Sequence, residues 1–511
     1  MKFCFFLQRR FAYIGHTMAL LLKERYGVTD FCGYVNLRSS FEFLRTQNDL
    51  EYSALLLEEE VYARYQHEVL DAEYLQWLEQ EFGLPNLWPY IDMDRVLRYG
   101  LLVRSYPSDR SRYSHEDLLR IAQVTAKSII SFLDQAKPDV IFFSVVSNLG
   151  SMLLYHIARR RGIATMVLYC PRLGIKYGVS ESYDGFPSLY RTFAELQAVS
   201  ASDAPLERFV EGRKWLHNFQ EQPTYYMNSS AAASQYTQEE LLLRSHFKFL
   251  VSPRAFWQSS RWLLHLFFGY WQNSHRDDYA TIKPWHHIID KVTSKYRVLR
   301  GACDLYDVVD SGDTYAYFAL HTEPEALPML LAPFYTDQVW LIKQVARSLP
   351  VHFKLYVKDH PKMAGKRTRS YYQELKKIPN VKLINPAVSS LQLIEHSSLV
   401  LTLTGTSGWE GVLLKKPVIV FSKVFYSALS AVCVCQNIPE LPYLIQKQLQ
   451  KFVYRDNELV NFVAALHKEC VDLDLTQIWD VEGAGNLEKK KQAVSPFVDL
   501  IARILHLPHA S

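Results

Sequence analysis

This sequence of 511 residues is poor in cysteine and contains no Cys-x-x-Cys pair. Because structural zinc sites use closely spaced cysteine and histidine ligands, the seven scattered cysteines predict no metal site. Cys433 and Cys435 are two residues apart, so in a strand they would share a face. We expect a reduced, buried pair there. This cysteine usage is typical of a reducing cytoplasm, which is the predicted location.

The chain also lacks a strong net charge and any long apolar run. Its 57 basic and 53 acidic residues give a net charge of +4, too balanced for nucleic acid as the main partner. The five-residue apolar run at 3–7 is soon followed by Arg9 and Arg10, which predicts a first buried strand at 2–7 rather than a signal peptide. The most apolar helical stretch, 262–270, is too short to span a bilayer. It predicts a core helix or, alternatively, a helix on a membrane surface.

Two regions alternate short apolar runs with helical patterns, which predicts parallel sheets flanked by helices. The fold class is therefore α/β, with two Rossmann-like lobes and a helical connecting region. We expect an N-terminal acceptor-side lobe over 1–190, a helical connector over 191–290 and a C-terminal nucleotide-donor lobe over 291–480. A last helix, within 481–511, is expected to return to the first lobe. The charge run 58–60 is expected to be solvated.

Polar residues follow three predicted strands of the second region, and ligands of such sheets bind at the carboxyl ends of the strands. The strand at 315–320 leads into His321, Glu323 and Glu325. The strand at 352–357 leads into Lys358 and His360. The strand at 399–403 leads into 404–410, Thr-Gly-Thr-Ser-Gly-Trp-Glu. We therefore expect these side chains to meet at one edge of the sheet.

The turn 404–408 joins a strand to a helix, and its glycines let backbone N–H groups approach an anion. Thr404, Thr406 and Ser407 add hydroxyl groups, which predicts a phosphate site. It is not of the Walker type, because no Gly-Lys-Ser/Thr follows. An ordinary serine or threonine helix cap is the alternative.

Three further side chains belong to this predicted donor site. His360 would donate to a phosphate oxygen, or else is a structural histidine at a strand end. Lys358 would add positive charge beside it. Glu410 lies in the first turn of the following helix, where it would accept hydrogen bonds from ribose hydroxyls or merely favour the helix dipole.

These segments resemble the bacterial capsule polysaccharide biosynthesis family. That family's pattern is a Pro-Glu pair after a strand, then Lys-Glu-His-Pro, then Thr-Gly-Thr-x-Gly-Trp-Glu followed by Lys-Pro-Val. Here the pattern stands at 323–325 (Glu-Pro-Glu), 358–361 (Lys-Asp-His-Pro), 404–410 and 416–418. The resemblance covers about residues 315–426. It implies a fold of the GT-B type with the active site between two lobes, a donor bound by the C-terminal lobe and no metal or other cofactor.

Two departures from the family pattern bear on the substrate. Glu323 stands where glutamine is usual, and Asp359 stands where glutamate is usual. The Kdo transferases of this broad group carry Gln-Pro-x-x-Asp, whereas Leu327 occupies the last position here. The sequence therefore argues against a Kdo donor.

Sugar transfer needs a carboxylate on the sugar side, as a base for the acceptor hydroxyl or as a nucleophile. Glu325 and Glu323 are the catalytic candidates, and Glu325 is favoured because it lies farther along the loop. The alternative is that one of them pairs with Lys358 or Arg172 and only shapes the site.

Acceptor-side candidates come from strand ends of the first region, and a plain surface-loop role is the alternative for each. A polar loop is expected from Gln8 to His16, before a helix at 17–26. The weak acceptor candidates are Arg9, Arg10, His16, Asn148 and Arg172.

The sequence thus predicts a metal-independent glycosyltransferase that moves a sugar from a nucleotide-sugar donor to a capsule or other surface polysaccharide. Expected partners are that donor, a polysaccharide or lipid-linked glycan acceptor, and the inner face of the membrane or an export complex as a peripheral contact. The alternatives are a CDP-polyol phosphate transferase, with His16 or His321 as a second histidine, a sugar-nucleotide epimerase, and a non-enzymatic glycan-binding scaffold.

Overall fold

The computed structural model describes residues 1–8, 11–99, 113–199, 207–223, 252–276, 278–279, 281–363, 365–475 and 487–509. The chain divides into two compact units. The first unit comprises the described parts of 1–94, 113–233 and 456–511, and the second unit comprises those of 95–112 and 234–455. Each unit is built around its own sheet, as the alternating apolar runs predict.

The first unit contains a seven-stranded sheet in the order β13-β6-β5-β4-β1-β2-β3. Its strands are β1 Lys2–Leu7, β2 Asp30–Val35, β3 Tyr52–Leu57, β4 Val140–Phe143, β5 Ala164–Tyr169, β6 Lys176–Ser180 and β13 Cys470–Asp472. Strand β6 pairs antiparallel with both β5 and β13, whereas the sheet of the second unit is wholly parallel. In β1 every residue after Lys2 is buried, as expected for a central parallel strand covered on both faces.

Helices cover both faces of this sheet. They are α1 Phe11–Tyr26, α2 Arg38–Arg45, α3 Glu58–Ala63, α4 Ala72–Glu81, α5 Trp88–Asp92, α7 His115–Ala136, α8 Leu149–Arg160, α9 Pro187–Ala198, α10 Glu207–Glu221, α19 Asp456–Glu469 and α20 Leu487–Ile504. Val494, Phe497 and Ile501 of α20 are fully buried in one core cluster with residues of α1 and β1. The last helix therefore packs on the first unit.

The boundaries of the units differ from those expected from the sequence. The chain returns to the first unit at Asp456 rather than near 481, because α19 packs on α9 and α10 and β13 pairs antiparallel with β6. The expected connector 191–290 is also divided, since its part before 234 belongs to the first unit. Short apolar runs such as 470–472 carry too little pattern to reveal such a crossing.

The second unit contains a six-stranded parallel sheet in the order β12-β11-β10-β7-β8-β9. Its strands are β7 Tyr315–Ala319, β8 Lys354–Lys358, β9 Val381–Ile384, β10 Leu399–Thr402, β11 Val418–Val420 and β12 Val432–Val434. Strands β10, β7 and β8 are neighbours at the centre of the sheet, so the three polar strand ends lie at the same edge.

The described helices of the second unit are α6 Arg95–Tyr99, α11 Pro253–Gln272, α12 Pro284–Arg300, α13 Ala326–Leu331, α14 Gln338–Ser348, α15 Arg369–Lys376, α16 Ser390–His396, α17 Thr406–Leu413 and α18 Leu441–Lys451. Two long helices, α11 and α12, precede the sheet. None of the side chains described in α11 is buried, so the prediction of a core helix at 262–270 is wrong. Among the described residues, no helix is both long and apolar enough to cross a bilayer.

Candidate functional site

The turn between β10 and α17 holds the polar residues expected to bind phosphate. Gly405, not a serine or threonine, is the N-cap of α17, and within the described structure it receives no side-chain capping bond. Thr404 Oγ1 and Ser407 Oγ are buried and have no hydrogen-bond partner among the described residues. Hydroxyls of this kind cost free energy unless a ligand or water satisfies them. The ordinary-cap interpretation therefore does not describe this turn.

Glycine is required at two positions of the turn. A Cβ on Gly405 would lie 2.5 Å from Thr402 Oγ1 and 3.1 Å from the His321 ring. A Cβ on Gly408 would lie 2.3 Å from Tyr426 Oη, which donates a hydrogen bond to the Gly405 carbonyl at 2.7 Å. The two glycines therefore let the backbone of the turn pack directly against the strand end.

Lys358 and Glu410 are two buried ionisable side chains at this edge. Lys358 Nζ donates to Ser390 Oγ at 2.8 Å. Burial lowers the pKa of Lys358 to about 8, although Glu410 and Asp359 oppose that shift. Burial raises the pKa of Glu410 to about 8, although Lys358 opposes it, and Glu410 Oε1 has no hydrogen-bond partner among the described residues. Glu410 is therefore predominantly a neutral acid at pH 7, able to donate as well as accept.

We use the term strand-end oxygens for Thr404 Oγ1, Ser407 Oγ and Glu410 Oε1. They belong to one strand-to-helix turn and the helix that follows it. Glu410 is the fifth residue of α17, beyond its first turn, so the expectation that it lies in the first turn is wrong. Polar atoms this deeply buried are normally paired in a folded protein. Their shared lack of a partner among the described residues leaves all three oxygens able to bond to a polar ligand.

His360 is held as a hydrogen-bond donor. Its Nδ1 accepts from the backbone N–H of Lys362 at 3.2 Å, which leaves the ring proton on Nε2. Burial lowers the pKa of His360 to about 4, although Glu325 opposes the shift. A neutral imidazole with an Nε2–H is suited to donate to an anionic oxygen.

Glu325 is the N-cap residue of α13, and its side chain is 41% exposed. Its Oε2 lies 3.6 Å from Nδ1 of His321. Burial raises the pKa of Glu325, but hydrogen bonding and charge from His321 outweigh it, so the pKa lies below its usual value. Nε2 of His321 lies 3.1 Å from Thr402 Oγ1. Glu325 is thus an accessible, ionised carboxylate beside an oriented imidazole.

Glu323 is bound in a buried ion-pair network that the sequence does not reveal. The Arg367 side chain is fully buried, and its Nη2 donates to Glu323 Oε2 at 2.6 Å and to the His321 carbonyl at 2.6 Å. Its Nη1 pairs with Asp359, which also accepts from Tyr372 Oη at 2.7 Å. Arg367 therefore links the residues that follow β7 to those that follow β8. Glu323 is a structural partner of Arg367 in this network. Neither Lys358 nor Arg172, the partners considered from the sequence, fills that role.

In the first unit, the polar strand ends are bonded to one another. Asn148 is the N-cap of α8, and its Nδ2 donates to both carboxylate oxygens of Glu58 at 2.8 Å. Tyr34 Oη also donates to Glu58 at 3.1 Å. The prediction that 58–60 is a solvated charge run is wrong for Glu58 and Glu59, which are buried. Asn148 thus has a structural role as a cap and as the partner of a buried carboxylate.

His16 was expected in a polar loop, but it lies inside α1, which begins at Phe11. Its Nδ1 contacts Tyr52 Oη and its Nε2 contacts Asp49, each at 3.1 Å. Burial lowers the pKa of His16, and Asp49 only partly opposes this. With both ring nitrogens engaged, His16 is a structural histidine in this arrangement.

The contacts of the remaining acceptor candidates give no indication of acceptor binding. Arg172 lies in the loop after β5 with a positive φ of 59°, and its Nη1 lies 3.8 Å from Cys170 Sγ. Gln8 accepts a hydrogen bond from Ser147 Oγ at 3.2 Å. Arg9 and Arg10 lie outside the described residues. All seven cysteines lie in the described part of the chain and are free thiols, with Cys435 buried and Cys433 half-buried.

Comparison with known proteins supports the resemblance over one segment. Residues 337–430 match the family described as "Capsule polysaccharide biosynthesis protein". This segment contains β8, β10 and α17, and with them Lys358, His360 and the turn 404–410. It begins after the Glu-Pro-Glu sequence at 323–325. No curated protein sequence matches the chain.

The solved structures that match this chain include two transferases and an epimerase. A β-Kdo 2,7 transferase, KpsC of Thermosulfurimonas dismutans, is 10% identical, with 73% of this chain and 85% of that chain covered and a TM-score of 0.34. A UDP-GlcNAc 2-epimerase from Neisseria meningitidis bound to UDP-GlcNAc is 13% identical, with 98% and 100% covered and a TM-score of 0.26. The glycotransferase of kitacinnamycin is 11% identical, with 99% of each chain covered and a TM-score of 0.27. At such TM-scores, none of these likenesses identifies a substrate or a reaction.

Proposed function

We propose that this chain, whose segment 337–430 belongs to the capsule polysaccharide biosynthesis family, is a glycosyltransferase that moves a sugar from a nucleotide-sugar donor to a surface polysaccharide. The observation that carries the proposal is the group of strand-end oxygens, which are buried with no partner among the described residues, at the same sheet edge as Lys358 and His360. A donor supplies a diphosphate and a ribose, whose polar groups would satisfy such atoms.

The diphosphate of the donor would bind at the start of α17. The first N–H groups of a helix point toward an anion placed there, and the helix dipole favours negative charge. Thr406, Thr404 and Ser407 would add hydroxyl donors, and His360 would add Nε2–H. These groups would stabilise the charge that develops on the leaving phosphate.

The ribose would bind at Glu410. As a neutral acid, its carboxyl group both donates and accepts, which suits a pair of vicinal hydroxyls. Lys358 lies close enough for its charge to act on Glu410 and is itself held by Ser390. Because the pKa values of Lys358 and Glu410 both lie near 8, the charge on each group would respond to a bound ligand.

Glu325 would be the catalytic carboxylate, acting as a base for the acceptor hydroxyl or as a nucleophile. It is accessible and ionised, whereas Glu323 is occupied by Arg367. His321 would be a positioning residue, because Thr402 and Glu325 lie on opposite sides of its ring. Catalysis by Glu323 is disfavoured, since freeing it would leave a buried arginine without part of its counter-charge.

The reaction is proposed to need no metal, because helix N–H groups, hydroxyls and His360 would stabilise the leaving phosphate. A screen of nucleotide-sugar donors for hydrolysis and transfer, with and without EDTA, tests the proposal. Donor hydrolysis that persists in EDTA is expected. Activity lost in EDTA and restored by Mg²⁺ would contradict metal independence, and isomerisation of the donor sugar without transfer would point to an epimerase.

The acceptor is proposed to be a polysaccharide or a lipid-linked glycan. Asn148 and His16 are poor candidates to bind it, because their polar atoms are engaged by Glu58, Asp49 and Tyr52. Transfer assays with oligosaccharides of different length, with and without a lipid carrier, would identify the acceptor class.

A further inference from the structure

Helices α11 and α12 each expose a stripe of large apolar side chains. In α11, Trp257, Leu264, Phe268 and Trp271 follow one another at spacings of seven, four and three residues, which places them on one face of a helix. Their exposures reach 72% for Leu264, and Trp257 and Trp271 are each 70% exposed. This face of α11 is left to solvent by the described parts of the chain.

Helix α12 repeats the pattern with five side chains at spacings of four, three, four and three residues. Its exposed stripe consists of Trp285, Ile289, Val292, Tyr296 and Leu299. The two helices together carry four of the ten tryptophans of the whole chain. Exposed apolar surface of this extent on two successive helices marks an interaction site.

The two helices pack on each other through aromatic and histidine side chains, and Trp285 of the α12 stripe takes part in this packing. The Trp262 ring lies 6.0 Å from that of His287, and the Tyr270 ring lies 5.9 Å from that of Trp285. Lys291 Nζ lies 3.5 Å over the Trp262 ring. Trp262 and Tyr270 are therefore used within the hairpin, and the residues of the two stripes other than Trp285 take no part in these three contacts.

Positive charge is concentrated on this hairpin. Residues 252–300 contain eight basic and three acidic side chains, an excess of five, whereas the whole chain has an excess of only four. Helix α11 has two arginines and no acidic residue. On the helical wheel, Arg254 and Arg261 flank the stripe of α11, and Lys295 and Arg300 flank that of α12. The occupant of this surface is therefore expected to be apolar and rimmed with negative charge.

We propose that the α11–α12 hairpin docks on the surface of an anionic phospholipid bilayer. Tryptophan and tyrosine favour the membrane interface, and basic flanks bind anionic headgroups. Neither described helix is long and apolar enough to cross the bilayer, so each would lie in the interface plane. The docking is independent of which nucleotide the sheet of the second unit binds, and it would bring the enzyme to lipid-linked acceptors.

Co-sedimentation of the full-length protein with vesicles tests the proposal. Vesicles of phosphatidylcholine containing about one third phosphatidylglycerol should pellet the protein, and pure phosphatidylcholine should pellet much less. About 0.5 M NaCl should weaken the binding, because it screens the charged rim. Protein that does not pellet with the anionic vesicles at low salt would overturn the proposal.

Two variants separate the apolar and the charged contributions. Trp257→Gln/Phe268→Gln/Trp271→Gln should reduce binding by on the order of tenfold or more, because these side chains would insert between the headgroups. Arg254→Gln/Arg261→Gln should reduce it by roughly fivefold for each charge, and only on anionic vesicles. Since α11 lies outside the described core, both variants should keep the melting temperature of the wild type.

A matched control replaces exposed aromatics elsewhere in the second unit. Phe334→Gln/Tyr443→Gln removes two aromatic side chains that are 83% and 74% exposed and should bind vesicles like the wild type. Equal binding by the stripe variant and the wild type would contradict the proposal. A stripe variant that converts a dimer to a monomer, without any vesicle binding by the wild type, would show that a second copy covers this face. Thermal stabilisation by nucleotide should be unchanged in all variants, which separates this test from that of the donor site.

Discussion

The carboxyl ends of the strands in the two sheets use their polar atoms differently. In the first unit, the side chains at this edge bond to one another, as Asn148 and Tyr34 do with Glu58. In the second unit, Thr404, Ser407 and Glu410 each bury an oxygen that finds no partner among the described residues. A set of polar atoms that is satisfied internally stabilises a fold, whereas a set that is left open is suited to a ligand.

The second unit contains both a satisfied and an unsatisfied set of polar atoms. Arg367 forms ion pairs with Glu323 and Asp359, and we call these three residues the closed network. The strand-end oxygens of the turn 404–410 have no partner among the described residues, and we call them the open set. The closed network would hold the strand ends in place while the open set binds the donor. The following predictions test this division.

Removal of Arg367 should have the largest effect on stability. Arg367→Met leaves Glu323 and Asp359 buried without their cation, which should cost about 3–5 kcal/mol of unfolding free energy. Arg369→Met, which removes a surface pair with Asp304, should cost far less. Urea unfolding of both variants measures the difference. Equal losses would show that the buried network does not hold the strand ends.

Glu325→Gln should have the largest effect on turnover. A positioned proton carrier typically contributes 10²-fold or more, so kcat should fall by about that factor while nucleotide binding is retained. Glu323→Gln should instead lower stability, because it weakens the Arg367 network. If Glu325→Gln turns over normally, the catalytic assignment is wrong and Glu323 or a group of the first unit becomes the candidate.

Variants of two other proposed phosphate ligands, near the open set, should weaken nucleotide binding by roughly tenfold or more, because each removes a bond to a charged group worth about 1.5–3 kcal/mol. Thr406→Val and His360→Ala are the test variants, and calorimetric titration gives their affinities. Asn148→Ala is the matched control in the first unit. It should lower stability and leave nucleotide affinity unchanged. Unchanged affinity in both test variants would end the phosphate assignment.

The pH dependence of stability should report the burial of Glu410. In the unfolded chain this carboxyl ionises above its usual pKa of 4.5, whereas in the folded protein it keeps its proton up to about 8. The folded state therefore binds the extra proton, and stability should fall as pH rises through this window. Glu410→Gln should reduce that fall, and the exposed Glu440→Gln should not. Identical pH profiles for the wild type and Glu410→Gln would contradict the burial of an uncompensated acid.

The turn 404–410, which holds the open set, could be predicted from the sequence, whereas the closed network around Arg367 could not. The turn 404–410 is visible because its glycines and hydroxyls are contiguous and follow a buried strand. Arg367 is not visible, since a lone arginine in a basic loop has no pattern that indicates burial. Ser390, the partner of Lys358, lies 32 residues away in sequence and is brought near only by the sheet.

Burial also accounts for the other differences between the predicted and the observed structure. The helix at 262–270 looks like a core helix because it is apolar on most sides, but only tertiary packing determines what covers it. His16 is the last residue of a predicted polar loop, yet α1 begins five residues before it and buries it against Asp49 and Tyr52. The crossing of the chain at Asp456 depends on α19 and the three-residue strand β13, which are specified by long-range packing.

Nucleotide-induced stabilisation is the most direct test of the central claim that the open strand ends of the second unit bind the donor. UDP, CMP and GDP should be compared on the wild type and on Thr404→Val/Ser407→Ala. At a 100-fold excess over Kd, the preferred nucleotide should stabilise the wild type by roughly 2.7 kcal/mol. The variant at the same nucleotide concentration should gain much less. No stabilisation by any of the three nucleotides, or equal stabilisation of the variant, would contradict the claim.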